Sequence, residues 1–220
     1  MFVFSKTSSG EWTEIQKLTP SSWRWAKAEF LHGNYGQSVA ITDSMLAVKA
    51  PFDYGGDLSN LRGVTYIYKR GRDGKYEEMQ QLSTPEGEEL RVVSGTDMAF
   101  LDNFLLVGSG TSKKVYVFKR ITGGYQKVTE LTASDDGPDS MFGIAIDGRG
   151  TQAMIKECRS DSSYLFSYEG GAFREKAKFD GCNAALSGNT IVAQSNPDFA
   201  MSETIYGGPV FWYDLICEPV

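Results

Sequence analysis

Histidine is nearly absent from this chain. His32 is the only one in 220 residues, so Ser-His-Asp or Cys-His catalysis would have to run through that single side chain, and no multi-histidine metal site can form. Cysteine is scarce as well. Cys158, Cys182 and Cys217 are widely spaced with no C-x-x-C, which excludes a zinc ribbon and a thioredoxin-type redox motif and allows at most one internal disulfide. A Cys158–Cys182 bridge and burial of both as free thiols stay open. Positive charge is in deficit: 22 basic against 28 acidic residues give −6, which argues against nucleic acid or an anionic membrane as partner. No apolar run nears the ~18 residues that span a bilayer, and Met1 to Lys6 lack the pattern of a signal peptide.

What is present is enough to fold. Hydrophobic residues make up 41%, aromatics 13% and charged residues 23%, so burial can offset chain entropy. Against the usual ~150 residues per domain, the length fits one large domain or two small ones.

The organising signal is an internal repeat. A short aromatic and β-branched run recurs at Phe2-Val3-Phe4, Tyr66-Ile67-Tyr68, Tyr116-Val117-Phe118, Phe166-Ser167-Tyr168 and Phe211-Trp212-Tyr213, with steps of 64, 50, 50 and 45 residues. That period belongs to propeller blades and similar arrays. After each of the first four runs come a glycine turn, an aromatic (Trp12, Tyr76, Tyr125, Phe173) and an alternating stretch whose charges suit an outermost strand that resists edge pairing. A second hairpin follows in each unit. Its turns fall at Asp43-Ser44, Asp102-Asn103 and Gly188-Asn189, residues that tolerate positive φ, while the third copy carries a longer Asp147-Gly148-Arg149-Gly150 turn. Offsets of 59 and 145 residues superpose the first copy of this hairpin on the second and fourth without a gap.

These residues resemble the FG-GAP repeat of integrin-alpha-like β-propellers. Tyr35-Gly36 and Phe142-Gly143 are similar to the FG element, Val48-Lys49-Ala50-Pro51 to a degenerate GAP element, and Leu131 to Gly137 to the connection common in such repeats. The copies around Ser94-Gly95 and Gly181-Cys182 have lost the aromatic. The resemblance implies that the hairpin with the short polar turn supplies the inner strands of each blade and the aromatic run with the Trp12-type strand the outer two. It also implies protein interaction and adhesion, outside the cell or at its surface. The calcium-binding loop that many members carry is missing, because two-residue turns cannot deliver the about six to eight oxygens that Ca²⁺ takes. The expectation is therefore no metal and no cofactor. Asp53 to Asp57 and Asp135 to Asp139 read as solvated turns.

The expected fold is an all-β, β-propeller-like array of about four to five four-stranded antiparallel blades, incomplete relative to a seven-bladed ring. One domain would cover 1–220, with a partial blade at 1–18, blades at about 34–82, 95–131 and 142–179, and a partial blade at 181–214. A fragment, an open array, half of an oligomeric ring and a small closed propeller all fit that count.

Trp12, by its repeat position, reads as blade packing. Trp23, Trp25 and His32 lie in Pro20 to Asn34, a stretch with no aromatic counterpart in the other units, and with Tyr54 they are the expected ligand contacts. Gly108 to Lys114 lacks the order of a phosphate loop and joins two strands, so no nucleotide site is expected. Arg62, Lys69, Arg70 and Arg72 face Glu77 and Glu78 as cross-strand pairs. A binding face would comprise Pro20 to Asn34, Phe52 to Arg62, Asp135 to Met141 and Asn196 to Gly208. The expected role is a non-enzymatic binding or structural module with a protein, or a glycan, as ligand. The alternatives are a subunit or fragment that docks through its terminal half-blades, a lectin, and a hydrolase using Asp43 and Asp102.

Overall fold

Alternation of apolar and polar residues between short turns builds strands throughout. In the computed structural model the described residues are 1–21, 34–51, 63–83, 97–109, 112–135, 137, 140–157, 160–181, 183–188 and 190–194, with the backbone of 210–214. Among them are seventeen strands and no helix. They are β1 (Phe2–Lys6), β2 (Trp12–Lys17), β3 (Ser38–Ile41), β4 (Met45–Ala50), β5 (Val64–Arg70), β6 (Tyr76–Leu82), β7 (Met98–Leu101), β8 (Phe104–Ser109), β9 (Lys114–Ile121), β10 (Gly124–Leu131), β11 (Ala145–Arg149), β12 (Gln152–Glu157), β13 (Ser162–Glu169), β14 (Ala172–Asp180), β15 (Ala184–Ser187), β16 (Thr190–Gln194) and β17 (Val210–Asp214).

They form three four-stranded sheets in simple sequence order, β3 to β6, β7 to β10 and β11 to β14, flanked by a two-stranded β1–β2 sheet and a three-stranded β15–β16–β17 sheet. Each sheet is a blade of the propeller type, and the expected all-β array of incomplete number stands. The copies agree down to an irregularity. A β-bulge between third and fourth strand falls after Val3, after Ile67 and after Leu165, and the pairs Phe2↔Lys17, Tyr66↔Gln81 and Tyr164↔Lys178 are equivalent. The extra residue twists the last strand, a feature the repeat retains.

The chain divides into two compact units, 1–92 with 121–125, and 93–120 with 126–220. In the first, Val3 and Leu18 pack with Leu46, Val48, Tyr66, Tyr68 and Tyr76. In the second, one core gathers Leu106, Val117, Phe142, Ile155 and Phe166, and another joins Met154 and Leu165 to Leu186 and Ile191. The second strands are buried along their whole length in β4 and β8, which is why they read as continuous apolar runs instead of alternating. First strands of consecutive sheets meet in the second unit, where the Ile146 N–H donates to Asp97 at 3.5 Å and the Leu186 N–H to Asp147 at 2.9 Å. Gly143 sits in a close approach: its φ is +89°, and a Cβ there would lie 2.9 Å from the Lys114 carbonyl oxygen.

Four expectations from the sequence are corrected. Trp12 is 68% exposed, whereas Tyr76 and Tyr125 at the same repeat position are 5% exposed, because no described sheet covers the far side of β1–β2. The structural counterpart of Tyr66-Ile67-Tyr68 in the fourth unit is Tyr164-Leu165-Phe166, two residues earlier than the aromatic run suggests, a shift that keeps the same face buried. Asp147 to Arg149 belong to β11, and the turn is Gly150-Thr151, as short as the others. The Asp43-Ser44 turn does without positive φ: the Thr42 hydroxyl accepts the Met45 N–H at 3.0 Å and closes it.

Candidate functional site

Strand alternation decides which loops share an end of a sheet. In each blade the connection from second to third strand and the segment entering the first strand lie at one end, and the two tight turns lie at the other. The segments 20–34 and 52–62 are of this kind in the first unit, and 135–141 and 196–208 in the second. Asp43 and Asp102 sit at the opposite end of their own sheets, in the short turns.

Trp23, Trp25, His32 and Tyr54 lie outside the described residues, as do Cys158, Cys182 and Cys217 with the question of their bridging. What is described is the hardware that fastens the loops. After β2, Ser21 grips Glu78 of β6 at two points: its N–H donates to one carboxylate oxygen at 2.9 Å and its hydroxyl to the other at 2.6 Å. After β10, Ser134 does the same to Glu175 of β14, at 3.0 and 2.7 Å. Both are charge-assisted pairs that satisfy a loop N–H.

A second fastener holds 135–141. Asp135 accepts the Tyr164 hydroxyl at 2.8 Å and forms an ion pair with Lys178, whose Nζ also lies 5.6 Å over the Tyr164 ring. The Lys178 hydrogen bond, with that of Tyr164 after it, holds the Asp135 carboxyl below its ordinary 3.8. Burial, then the bond to Asp135, raises the Tyr164 phenol. Deeper in, Glu157 is buried and its carboxylate accepts the N–H groups of Met141 and Ser160, both at 3.0 Å, so one side chain ties two loops together.

In the first unit the corresponding end is aromatic. Tyr35 meets Tyr66 edge to face at 5.5 Å, as Phe142 meets Tyr164 at 5.5 Å in the second. The Tyr35 and Tyr68 hydroxyls share a 2.7 Å hydrogen bond. Burial is the main cause that pushes the Tyr35 phenol up to about 12, and burial followed by the Tyr35 hydrogen bond raises that of Tyr68 further.

Sequence reasoning missed these fasteners, although a signal was present. Ser21 and Ser134 stand nine residues after Trp12 and Tyr125, and Glu78 and Glu175 two residues after Tyr76 and Phe173. Repeat positions, not local motifs, carry the information. Lys69 stands opposite Glu77 in the ladder, as the cross-strand reading expects, and Gly108 lies within β8 while Lys114 begins β9. Among the described residues, no three His, Cys, Asp or Glu side chains gather as metal ligands, and no helix is long and apolar enough to cross a membrane.

No protein-family model matches the chain, and no curated protein matches it. Solved structures do. A protein from Lactobacillus plantarum is 11% identical, with a TM-score of 0.55 over 94% of this chain and 59% of its own. The Pan2 WD40 domain of Neurospora crassa is 13% identical, TM-score 0.45, over 82% and 62%. The periplasmic gluconolactonase of Pseudomonas aeruginosa is 12% identical, TM-score 0.44, over 81% and 56%. In each case the chain spans less than two thirds of the other's length, and at such identity the likeness concerns the fold alone. One expectation is nevertheless overturned. The exclusion of enzymatic activity cannot rest on the fold, because a similar structure is named as a lactonase, and it is withdrawn without assigning an activity in its place. The blade topology supports one statement: the chain has a β-propeller-like fold.

Proposed function

We propose that this chain is an FG-GAP-type, integrin-alpha-like propeller segment that binds a protein ligand, outside the cell or at its surface. The ligand is met by the loops 20–34, 52–62, 135–141 and 196–208, with Trp23, Trp25, His32 and Tyr54 as contact residues. The observation that carries this reading is the repeated two-point grip of Ser21 on Glu78 and Ser134 on Glu175. A loop fixed at its root loses less entropy on binding, and rigid scaffolds with anchored loops are where recognition residues concentrate.

The test is binding of the labelled 220-residue chain to a panel of intact cells and to a printed glycan array. Trp23→Ala, Trp25→Ala and Tyr54→Ala should each lower cell binding about tenfold with Tm unchanged, which is the loss expected of an aromatic anchor. Glycan binding in place of protein-dependent cell binding would move the ligand to the sugar class. Indifference to all three substitutions would sink the proposal.

A further inference from the structure

The tight-turn end of the sheet β3 to β6, opposite its loops, carries a concentration of unpaired positive charge. The hairpin tip of β5 and β6 runs Lys69-Arg70-Gly71-Arg72-Asp73-Gly74-Lys75, in which four of the seven residues are basic and one is acidic, in a chain whose net charge is −6. All four cations are exposed. Among the described residues none of them forms an ion pair, although Glu77 stands opposite Lys69 in the ladder. The lysines of the second unit contrast with them: Lys114 and Lys127 sit on Glu130, Lys176 on Glu169 and Lys178 on Asp135.

The hairpin does not require these cations. The positions of Lys69 and Arg70 are held by Ser167 and Tyr168 in β13, where the Tyr168 N–H donates to the Thr151 carbonyl as the Arg70 N–H does to that of Ser44, both at 2.8 Å. The turn itself is fixed by backbone. The Gly71 N–H donates to the Lys75 carbonyl at 2.7 Å and the Gly74 N–H to the Gly71 carbonyl at 3.1 Å. Asp73, the one acid, is folded back into the turn, where its Oδ1 accepts the Lys75 N–H at 3.1 Å. Arg70 spends its Nε on the Gly74 carbonyl at 3.3 Å, whereas the side chains of Arg72 and Lys75 have no hydrogen-bond partner among the described residues. The charges thus project from a backbone that is ordered before any partner arrives.

We infer that this tip binds a sulfated polysaccharide. A chain lying across the end of the hairpin meets cations from both strands, and a guanidinium matches the oxygens of a sulfate in fork geometry. The tip offers no exposed apolar or aromatic side chain, since Tyr68 and Tyr76 are buried, so a folded protein would find no anchor there. A nucleic acid duplex or an anionic membrane presents negative charge over a wide front and meets the acidic chain as a whole. A single sulfated chain can be contacted over one hairpin, and carboxylates beyond about 8 Å are screened at physiological salt. The site lies away from the loops of the proposed function and does not depend on them.

The experiment is titration of a fluorescent heparin octasaccharide with the 220-residue chain, beside its desulfated form, a poly-glutamate peptide and a DNA duplex of matched charge. The sulfated octasaccharide should bind in preference to the other three, and more weakly as salt is raised from about 50 to about 200 mM. The Arg72→Ala, Lys75→Ala double variant should lose about tenfold or more in affinity, as expected when two charge-assisted contacts are removed, with Tm unchanged. Lys176→Ala, which removes a cation already paired to Glu169, should change affinity less than about twofold. Absence of octasaccharide binding at low salt would overturn the inference. So would an affinity indifferent to the double variant, or equal binding of the peptide or the DNA.

Discussion

Gln16 closes a two-point hydrogen bond on the backbone of Tyr76. Its Nε2 donates to the Tyr76 carbonyl at 2.7 Å, and its Oε1 accepts the Tyr76 N–H at 2.7 Å. The amide imitates a strand and joins β2 to β6 as if they were neighbours in a ladder. Gln80 repeats the device on Tyr125, at 2.9 and 2.7 Å, within the same compact unit. Both glutamines stand four residues after the aromatic of their own strand, so the contact is written into the repeat.

Replacement of either glutamine by Ala strands a part-buried N–H and C=O together. Each variant should lose about 1–3 kcal/mol in urea unfolding, the cost of leaving such groups unpaired. The double variant should lose close to the sum, since the two contacts share no partner. A loss below a few tenths for both would mean that water replaces the amide at no cost.

Gly143 and Gly170 offer a matched comparison. Both have positive φ, but a Cβ at Gly143 would press on the backbone oxygen of Lys114, while nothing lies within 4 Å of one at Gly170. Gly143→Ala should therefore lower Tm well beyond Gly170→Ala, which carries only the ~1 kcal/mol order of penalty for a left-handed alanine. Equal shifts in thermal unfolding would refute the close-approach argument.

Glu157→Gln keeps the shape of the side chain and removes one acceptor. An amide presents its NH2 to an N–H that needs an oxygen, so either Met141 or Ser160 loses its partner. The expected loss is about 1–3 kcal/mol. Hydrogen exchange at those two amides should quicken more than at β12 and β13, and uniform quickening would show that Glu157 supports the whole blade and not its loops.

Alkaline pH should weaken the first unit. The fold raises the Tyr35 phenol from 10.0 to about 12, so it favours the neutral form. Its contribution is complete below pH 10 and is lost as pH climbs from 10 towards about 12. Tyrosinate absorbance should show a late-titrating class that shrinks in Tyr35→Phe, and a wild-type titration with all phenols near 10 would contradict the 2.7 Å Tyr35–Tyr68 contact.

On the acid side, Asp135 is the group to watch. Its carboxyl is held below 3.8, so the fastening to Tyr164 and Lys178 persists above that value and is lost as pH falls through the depressed one. Lys178→Met should shift the loss to higher pH, read by acid unfolding followed at the tyrosines.

Much of this architecture was legible before any coordinates. The turns at Asp43-Ser44 and Asp102-Asn103, the buried runs Met45–Ala50 and Phe104–Ser109, and the alternation in Ala172–Asp180 are local properties, because a strand's periodicity and its turn chemistry are set by neighbours in sequence. Repetition then ordered the strands into blades. Asp147 misled for a related reason: beside Gly148 and Gly150 it has turn composition, yet ladder pairing with Met154 holds it in β11.

The rest was decided in three dimensions. Trp12 and Tyr76 hold the same place in the repeat, and nothing near either residue says that one is 68% exposed and the other 5%. Burial of a blade face depends on whether another sheet lies across it, which is a property of sheet stacking. The same holds for Gln16 on Tyr76, Ser21 on Glu78 and Asp135 on Tyr164. Strand identity and blade order came from the sequence by itself, because local periodicity and turn residues act over a few residues. Which faces are covered, and which polar side chains fasten the loops, only the tertiary structure decided, because those contacts join residues tens of positions apart.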